Sequence, residues 1–202
     1  MDPQQFLTYS LRISPFGDQV TRVLAATIQA VEPEATVRRF MHRKRNQLII
    51  GRRSYDLSQI QNIYLIGAGK AGEPMAEAVL DILGNRISGG IVIVKDGYTK
   101  SQAPSANISI HEASHPLPDS RGVQATQKIV QILENTLQDD LVICLISGGG
   151  SALMVSPASG IALAELQELT SRLLACGAII NEINTLRKHL DFETMVKDES
   201  AI

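Results

Sequence analysis

The chain has 202 residues, 44% of them hydrophobic and 20% charged, with a formal net charge of −2. That length can bury a core in one domain, or in two small ones. The near-neutral charge, the absence of tryptophan and the presence of only four tyrosines and four phenylalanines argue against nucleic acid as a partner.

Residues 1–5 lack the basic and apolar parts of a signal peptide, and no apolar run is long enough to span a bilayer. No membrane association is expected, and the expected location is cytoplasmic. In chain order, Val20, Val23, Leu24, Thr27, Ile28 and Val31 predict an amphipathic helix over 16–31, packed on something larger and ended by Pro33. Residues 36–57 alternate and are strongly basic, which predicts a hairpin with strands over 37–42 and 47–50. Its arginines and lysines read as a solvated face, since no aromatic residue is interleaved with them.

A short buried strand over 61–66 then runs into Gly67-Ala68-Gly69-Lys70-Ala71-Gly72, and a helix follows over 74–83. Glycines between a strand and a helix let a phosphate approach free backbone N–H groups, and Lys70 adds a full positive charge. The letters satisfy G-x-G-x-x-G but not the P-loop pattern. A tight turn is the alternative reading of the same glycines.

Strands are predicted over 90–95 and 108–111. Next comes His115-Pro116-Leu117-Pro118-Asp119, a stiff loop that either holds His115 or the Asp119 backbone toward a ligand or serves only to cap the next helix through Asp119. The continuous apolar run over 141–146 predicts a strand covered on both faces. It leads directly into Ser147-Gly148-Gly149-Gly150-Ser151, whose successive donors suit an anion nest. Helices are expected over 163–175 and 179–190, the latter carrying Asn184 and Arg187 on a shared face that could grip a carboxylate or phosphate. An ion pair of Arg187 with Asp191 is the alternative.

Cys144 and Cys176 match no metal or redox spacing and read as buried thiols of a reducing compartment. No metal-ligand set is expected. Strands alternating with helices imply a mainly parallel sheet covered on both faces, with ligands at the carboxyl ends of its strands, where both glycine loops begin.

Four stretches taken together resemble the glycerate 2-kinase family, a class that also carries an older hydroxypyruvate reductase label. They are Gly67-Ala68-Gly69-Lys70-Ala71, His115-Pro116-Leu117-Pro118-Asp119, Ser147-Gly148-Gly149-Gly150-Ser151-Ala152-Leu153 and Glu182-Ile183-Asn184-Thr185-Leu186-Arg187-Lys188-His189-Leu190. The resemblance implies an α/β, Rossmann-like three-layer sandwich with a mainly parallel sheet. It also implies phosphorylation of D-glycerate by ATP with Mg2+, normally at the 2-hydroxyl. The family's functional lysine falls on Lys70, its ligand loop on Ser147 to Ser151, and the basic end of its last motif on Arg187 and Lys188.

On this reading residues 1–191 form the family's amino-terminal domain and residues 192–202 a divergent, disordered tail. The family's carboxy-terminal domain is missing, so the chain alone is expected to show little kinase activity and to self-associate through an exposed cleft. The competing expectations are an NAD(P)-dependent hydroxypyruvate reductase and a non-catalytic phosphate-binding module.

Overall fold

The computed structural model describes residues 1–99 and 107–190. The tail expected over 192–202 and Asp191, the alternative partner of Arg187, lie outside the described residues. After a 3-10 turn at Pro3–Phe6 come α1 (Tyr9–Arg12), α2 (Gly17–Ala30) and α3 (Pro33–Phe40). Pro33 does follow the end of α2, but it also opens a helix. The Glu32 carboxylate accepts from the Ala35 N–H at 3.2 Å, and proline at the first helical position has no N–H to leave unsatisfied. That cap overrides the alternation, so the strand expected over 37–42 is helical up to Phe40 and extended only from Met41.

Three short antiparallel strands follow, β1 (Met41–Lys44), β2 (Gln47–Ile50) and β3 (Arg53–Asp56), in that spatial order. The predicted hairpin is therefore the first two strands of a three-stranded sheet.

The main sheet contains β4 (Ile63–Ala68), β5 (Gly89–Lys95), β6 (Ile108–Ala113) and β7 (Leu141–Ile146), all parallel, in the order β6-β5-β4-β7. The connecting helices are α4 (Gly72–Leu83) and α5 (Ser120–Glu134). Beyond β7 come α6 (Gly150–Leu153), α7 (Leu163–Ala175) and α8 (Ile180–Leu190).

Alternate residues of the strands build two cores. Ile63, Leu65, Val92, Val94, Ile143 and Leu145 join Val79 and Leu83 of α4 and Met41 and Leu48 of the small sheet. On the other face Ile66, Ala68, Ile91 and Ile93 pack on Ala125 and Ile129 of α5 and Leu153 of α6. Period-two alternation with both faces filled gives the three layers.

Three expectations fail for reasons of packing. β7, an edge strand, is covered on one face only: Ile143 and Leu145 are buried, whereas Cys144 and Ile146 on the opposite face are exposed, Ile146 at 61%. The cysteines are exposed: Cys144 lies on that edge, and Cys176 closes α7. Nearby protein still desolvates the Cys144 thiol enough to push its pKa up.

The third concerns α2, which buries its small residues Gly17, Thr21 and Ala25 and leaves the apolar stripe outward, with Val23 64% exposed. A Cβ on Gly17 would stand 1.9 Å from the Leu11 carbonyl oxygen. The close approach of the preceding segment thus selects the small-residue face for contact.

Candidate anion site at the switch point

The chain lays down β4, β5 and β6 outward in one direction and then returns to place β7 on the other side of β4. The strand order reverses between β4 and β7, and a crevice opens at such a point at the carboxyl ends of the strands. Registry brings the two glycine loops level, because Ala68 pairs with Ile146 on one side and Ile93 on the other. They meet in one crevice, as expected from the sequence.

The first loop, however, does not offer free donors. The Gly69 N–H donates to the Ile93 carbonyl (3.0 Å), Lys70 N–H to the Gly148 carbonyl (2.9 Å) and Gly72 N–H to the Gly69 carbonyl (3.0 Å). The Ala71 N–H donates to Ser147 Oγ at 3.0 Å, so a serine hydroxyl from across the crevice occupies the position expected for an anion at the start of α4.

The fingerprint glycines are there for close packing. A Cβ on Gly67 would meet the Leu145 carbonyl oxygen at 2.4 Å, one on Gly69 would meet Ser147 Oγ at 2.0 Å, and one on Gly72 would meet Val92 Cγ1 at 2.6 Å.

The donors lie in the second loop. The Ser147 N–H is used by the Ala68 carbonyl (3.1 Å) and the Gly150 N–H by the Ser147 carbonyl (3.2 Å). The N–H groups of Gly148 and Gly149 have no partner among the described residues. Gly149 adopts φ +90°, and a Cβ there would lie 2.8 Å from His115 Cδ2, 3.0 Å from His115 Nε2 and 3.6 Å from Lys70 Cε. Lys70 and His115 therefore converge on this glycine from separate loops.

The field there is positive. Burial holds the His115 imidazole below its usual pKa, and Lys70, Lys95 and Arg187 lower it further. Lys95 is the last residue of β5; no motif marks it, and its place at the same carboxyl edge is the only sign in the sequence that it reaches this region.

Other expected residues take supporting places. Asp119 caps α5 by accepting from the Gly122 N–H at 3.0 Å, and it pairs with Arg121. Arg121 also grips Asp96 through two bonds of 2.7 and 2.8 Å. His115 enters through a cis His115-Pro116 bond, and its loop is anchored where Gln167 Nε2 donates to the Pro118 carbonyl at 2.8 Å.

Arg187 is 6% exposed, and its Nη2 donates to the Ser151 carbonyl at 2.5 Å. It thus secures the end of the glycine loop. Asn184 does not share its environment: on α8 the inward residues are Ile183 and Arg187, whereas Asn184 and Lys188 are exposed. Gly150 is buried with a Cβ position 3.0 Å from the Ala68 carbonyl oxygen, and Ser151 is exposed.

Among the described residues no three His, Cys, Asp or Glu side chains stand together as a metal site. The acidic residues of the loops that follow β5 and β6, Asp96 and Asp119, are both paired with Arg121. With both carboxylates committed to Arg121, neither is free to hold a resident magnesium ion. No helix among them is long and apolar enough to cross a membrane.

Fold and site together define a Rossmann-like α/β domain with a cationic, glycine-lined pocket at its switch point. The chain belongs to the family described as Domain of unknown function (DUF4147), whose profile matches residues 19–192. It is 41% identical over 131 residues to a D-glycerate 2-kinase of Thermotoga maritima, covering 65% of this chain and 31% of that protein. It is 36% identical over 169 residues to a glycerate 2-kinase of Pyrococcus horikoshii, covering 84% and 37% respectively.

Two solved structures agree in fold. A Pyrococcus horikoshii protein superposes with a TM-score of 0.74 at 35% identity, and a Thermotoga maritima glycerate kinase with 0.67 at 34%. Each match covers 84% of this chain and 37% of the other. The chain thus spans about a third of the length of the relatives it matches.

Proposed function

We propose that this chain carries the phosphate-gripping part of an ATP-dependent D-glycerate 2-kinase. The observation that supports this most is the convergence of Lys70, His115 and the two unpartnered amides of Gly148 and Gly149, in a chain whose relatives are named glycerate kinases. Phosphoryl transfer is catalysed mainly by positioning and by stabilising charge on the moving group. Lys70 supplies a full charge to that group. The Gly148 and Gly149 amides donate to its oxygens, and they require no reorganisation because Ser147, Ser151 and Arg187 hold the loop in place. ATP brings its magnesium with it, and the ion offsets phosphate charge when bound.

The reductase reading has less support. Asp96, the acidic residue nearest the place where a dinucleotide's ribose would need one, is taken by Arg121, and the first-loop amides are already bonded. Calorimetric titration tests the choice. ADP and D-glycerate should bind, and Lys70→Ala should weaken ADP by about tenfold or more, the loss of one charge-assisted contact. Binding of NADH with none of ADP would overturn the proposal.

A further inference from the structure

Beside the anion pocket, on the small-sheet side of the main sheet, lies an apolar cavity of about 360 Å³. Its walls include Val37 and Phe40 of α3, Met75 and Val79 of α4, and Ile143 and Leu145 of β7. Ligand sites in α/β folds are typically clefts of about 300–1,000 Å³, mostly apolar, placed at the switch point. This one meets each condition. It also reaches Ala71 and Ser147, the two residues joined by the 3.0 Å bond across the crevice.

Each of these residues adjoins the anion pocket in sequence. Ala71 follows Lys70, and Ser147 precedes Gly148. The wall of the apolar cavity therefore ends, along both loops, at the residues next to those of the cationic pocket.

The polar groups at the junction add direction. The Thr36 hydroxyl is spent on the Glu32 carbonyl at 2.8 Å. Ser147 Oγ accepts from Ala71, and its own hydrogen has no acceptor among the described residues. The ligand that matches this sequence of surfaces has a flat, weakly polar body, a hydroxylated middle and an anionic tail. A groove for a protein side chain would need the apolar walls alone.

We propose that the cavity receives the base of a purine nucleoside di- or triphosphate, with Ser147 at the sugar and Lys70, Gly148 and Gly149 at the phosphates. The proposal rests on the ATP-dependent reading above and assigns the anion pocket to the nucleotide.

Titration of the purified chain with ADP and with pyrophosphate, at one fixed magnesium concentration, separates the two surfaces. ADP should bind about tenfold more tightly than pyrophosphate, as burial of one apolar ring provides. Val37→Trp, which fills the cavity from the half-buried wall of α3, should bring ADP to within about twofold of pyrophosphate and leave pyrophosphate unchanged. Cys144→Phe, at the exposed rim on β7, should do the same and serves if the first variant melts early by circular dichroism.

An ADP advantage that is absent, or that survives both substitutions, would overturn the base site while leaving the anion pocket standing. Sedimentation altered by the substitutions with that advantage intact would assign the cavity to a second copy of the chain and equally overturn it. Failure of both ligands to bind the unmodified chain would remove the anion pocket, and the base site with it.

Discussion

Two neighbouring glycines show how unevenly the loop depends on its residues. At Gly148 an added Cβ meets nothing within 4 Å, and the backbone is not left-handed. At Gly149 the backbone is left-handed and the same atom would run into His115. Gly149→Ala should therefore cost about 1–2 kcal/mol in backbone strain alone, and the displaced imidazole should weaken pyrophosphate binding. Gly148→Ala should leave the denaturant midpoint unchanged, and equal losses in the two variants would contradict this account of the loop.

His115 gives a second test at the same scale. Its pKa is lowered in the fold, first by burial and then by Lys70, Lys95 and Arg187. The unfolded chain therefore binds that proton more readily. The resulting stability is fully present above the ordinary histidine value of about 6.5 and is lost as pH falls through the lower folded value. Urea midpoints should drop between about pH 7.5 and pH 5.5, and the drop should be smaller in His115→Asn. Parallel curves for the two proteins would show that the cationic neighbours do not act on this ring.

Among the elements, α4 is held at its start by a residue from another loop. Its N-terminal position Ala71 has no side chain able to cap, and Ser147 supplies the acceptor from across the crevice. Ser147→Ala should cost about 1 kcal/mol, the usual net value of one hydrogen bond, read as a lower denaturant midpoint at constant slope.

A buried hydroxyl joins α5 to the segment after α6 in the same manner. Thr126 Oγ1 donates to the Gly122 carbonyl at 2.8 Å and accepts from the Val155 N–H at 3.1 Å. Thr126→Val keeps the shape but strands that N–H, a loss of about 1–3 kcal/mol.

Neither the Ser147 cap of α4 nor the bond from Val155 to Thr126 is written locally. The helices and parallel strands were legible because their apolar spacing and the Asp119 cap are local properties. The Glu32 cap was equally local, but it lay inside a stretch whose alternation pointed to a strand, and there the cap prevailed.

Across the whole molecule, the meeting of the two glycine loops followed from strand order, since both loops leave carboxyl ends and only one crevice lies between β4 and β7. Which loop keeps its amides free could not be read from the sequence. It depends on Ser147, Ile93 and Gly148 satisfying the first loop across strands, and no local pattern records such pairings. The exposure of the α2 stripe was hidden for the same reason, because Leu11 packs against the helix's small face instead.

Arg187 is the long-range case with a consequence for binding. The sequence places it on α8 as a possible substrate anchor, whereas in the fold it is buried against Ser151 and ties that helix to the glycine loop from 36 residues away. A hydrogen bond from a charged donor contributes about 1.5–3 kcal/mol, so Arg187→Ala should lower stability by that order. Because the bond ends on the loop, amide exchange over residues 148–153 should also quicken, and pyrophosphate affinity should fall without any direct contact being removed. Arg187→Lys keeps the charge but loses the planar fork and should recover only part of the protection. Undiminished protection of the loop in Arg187→Ala, with pyrophosphate affinity reduced, would instead make Arg187 a direct anchor of the anion.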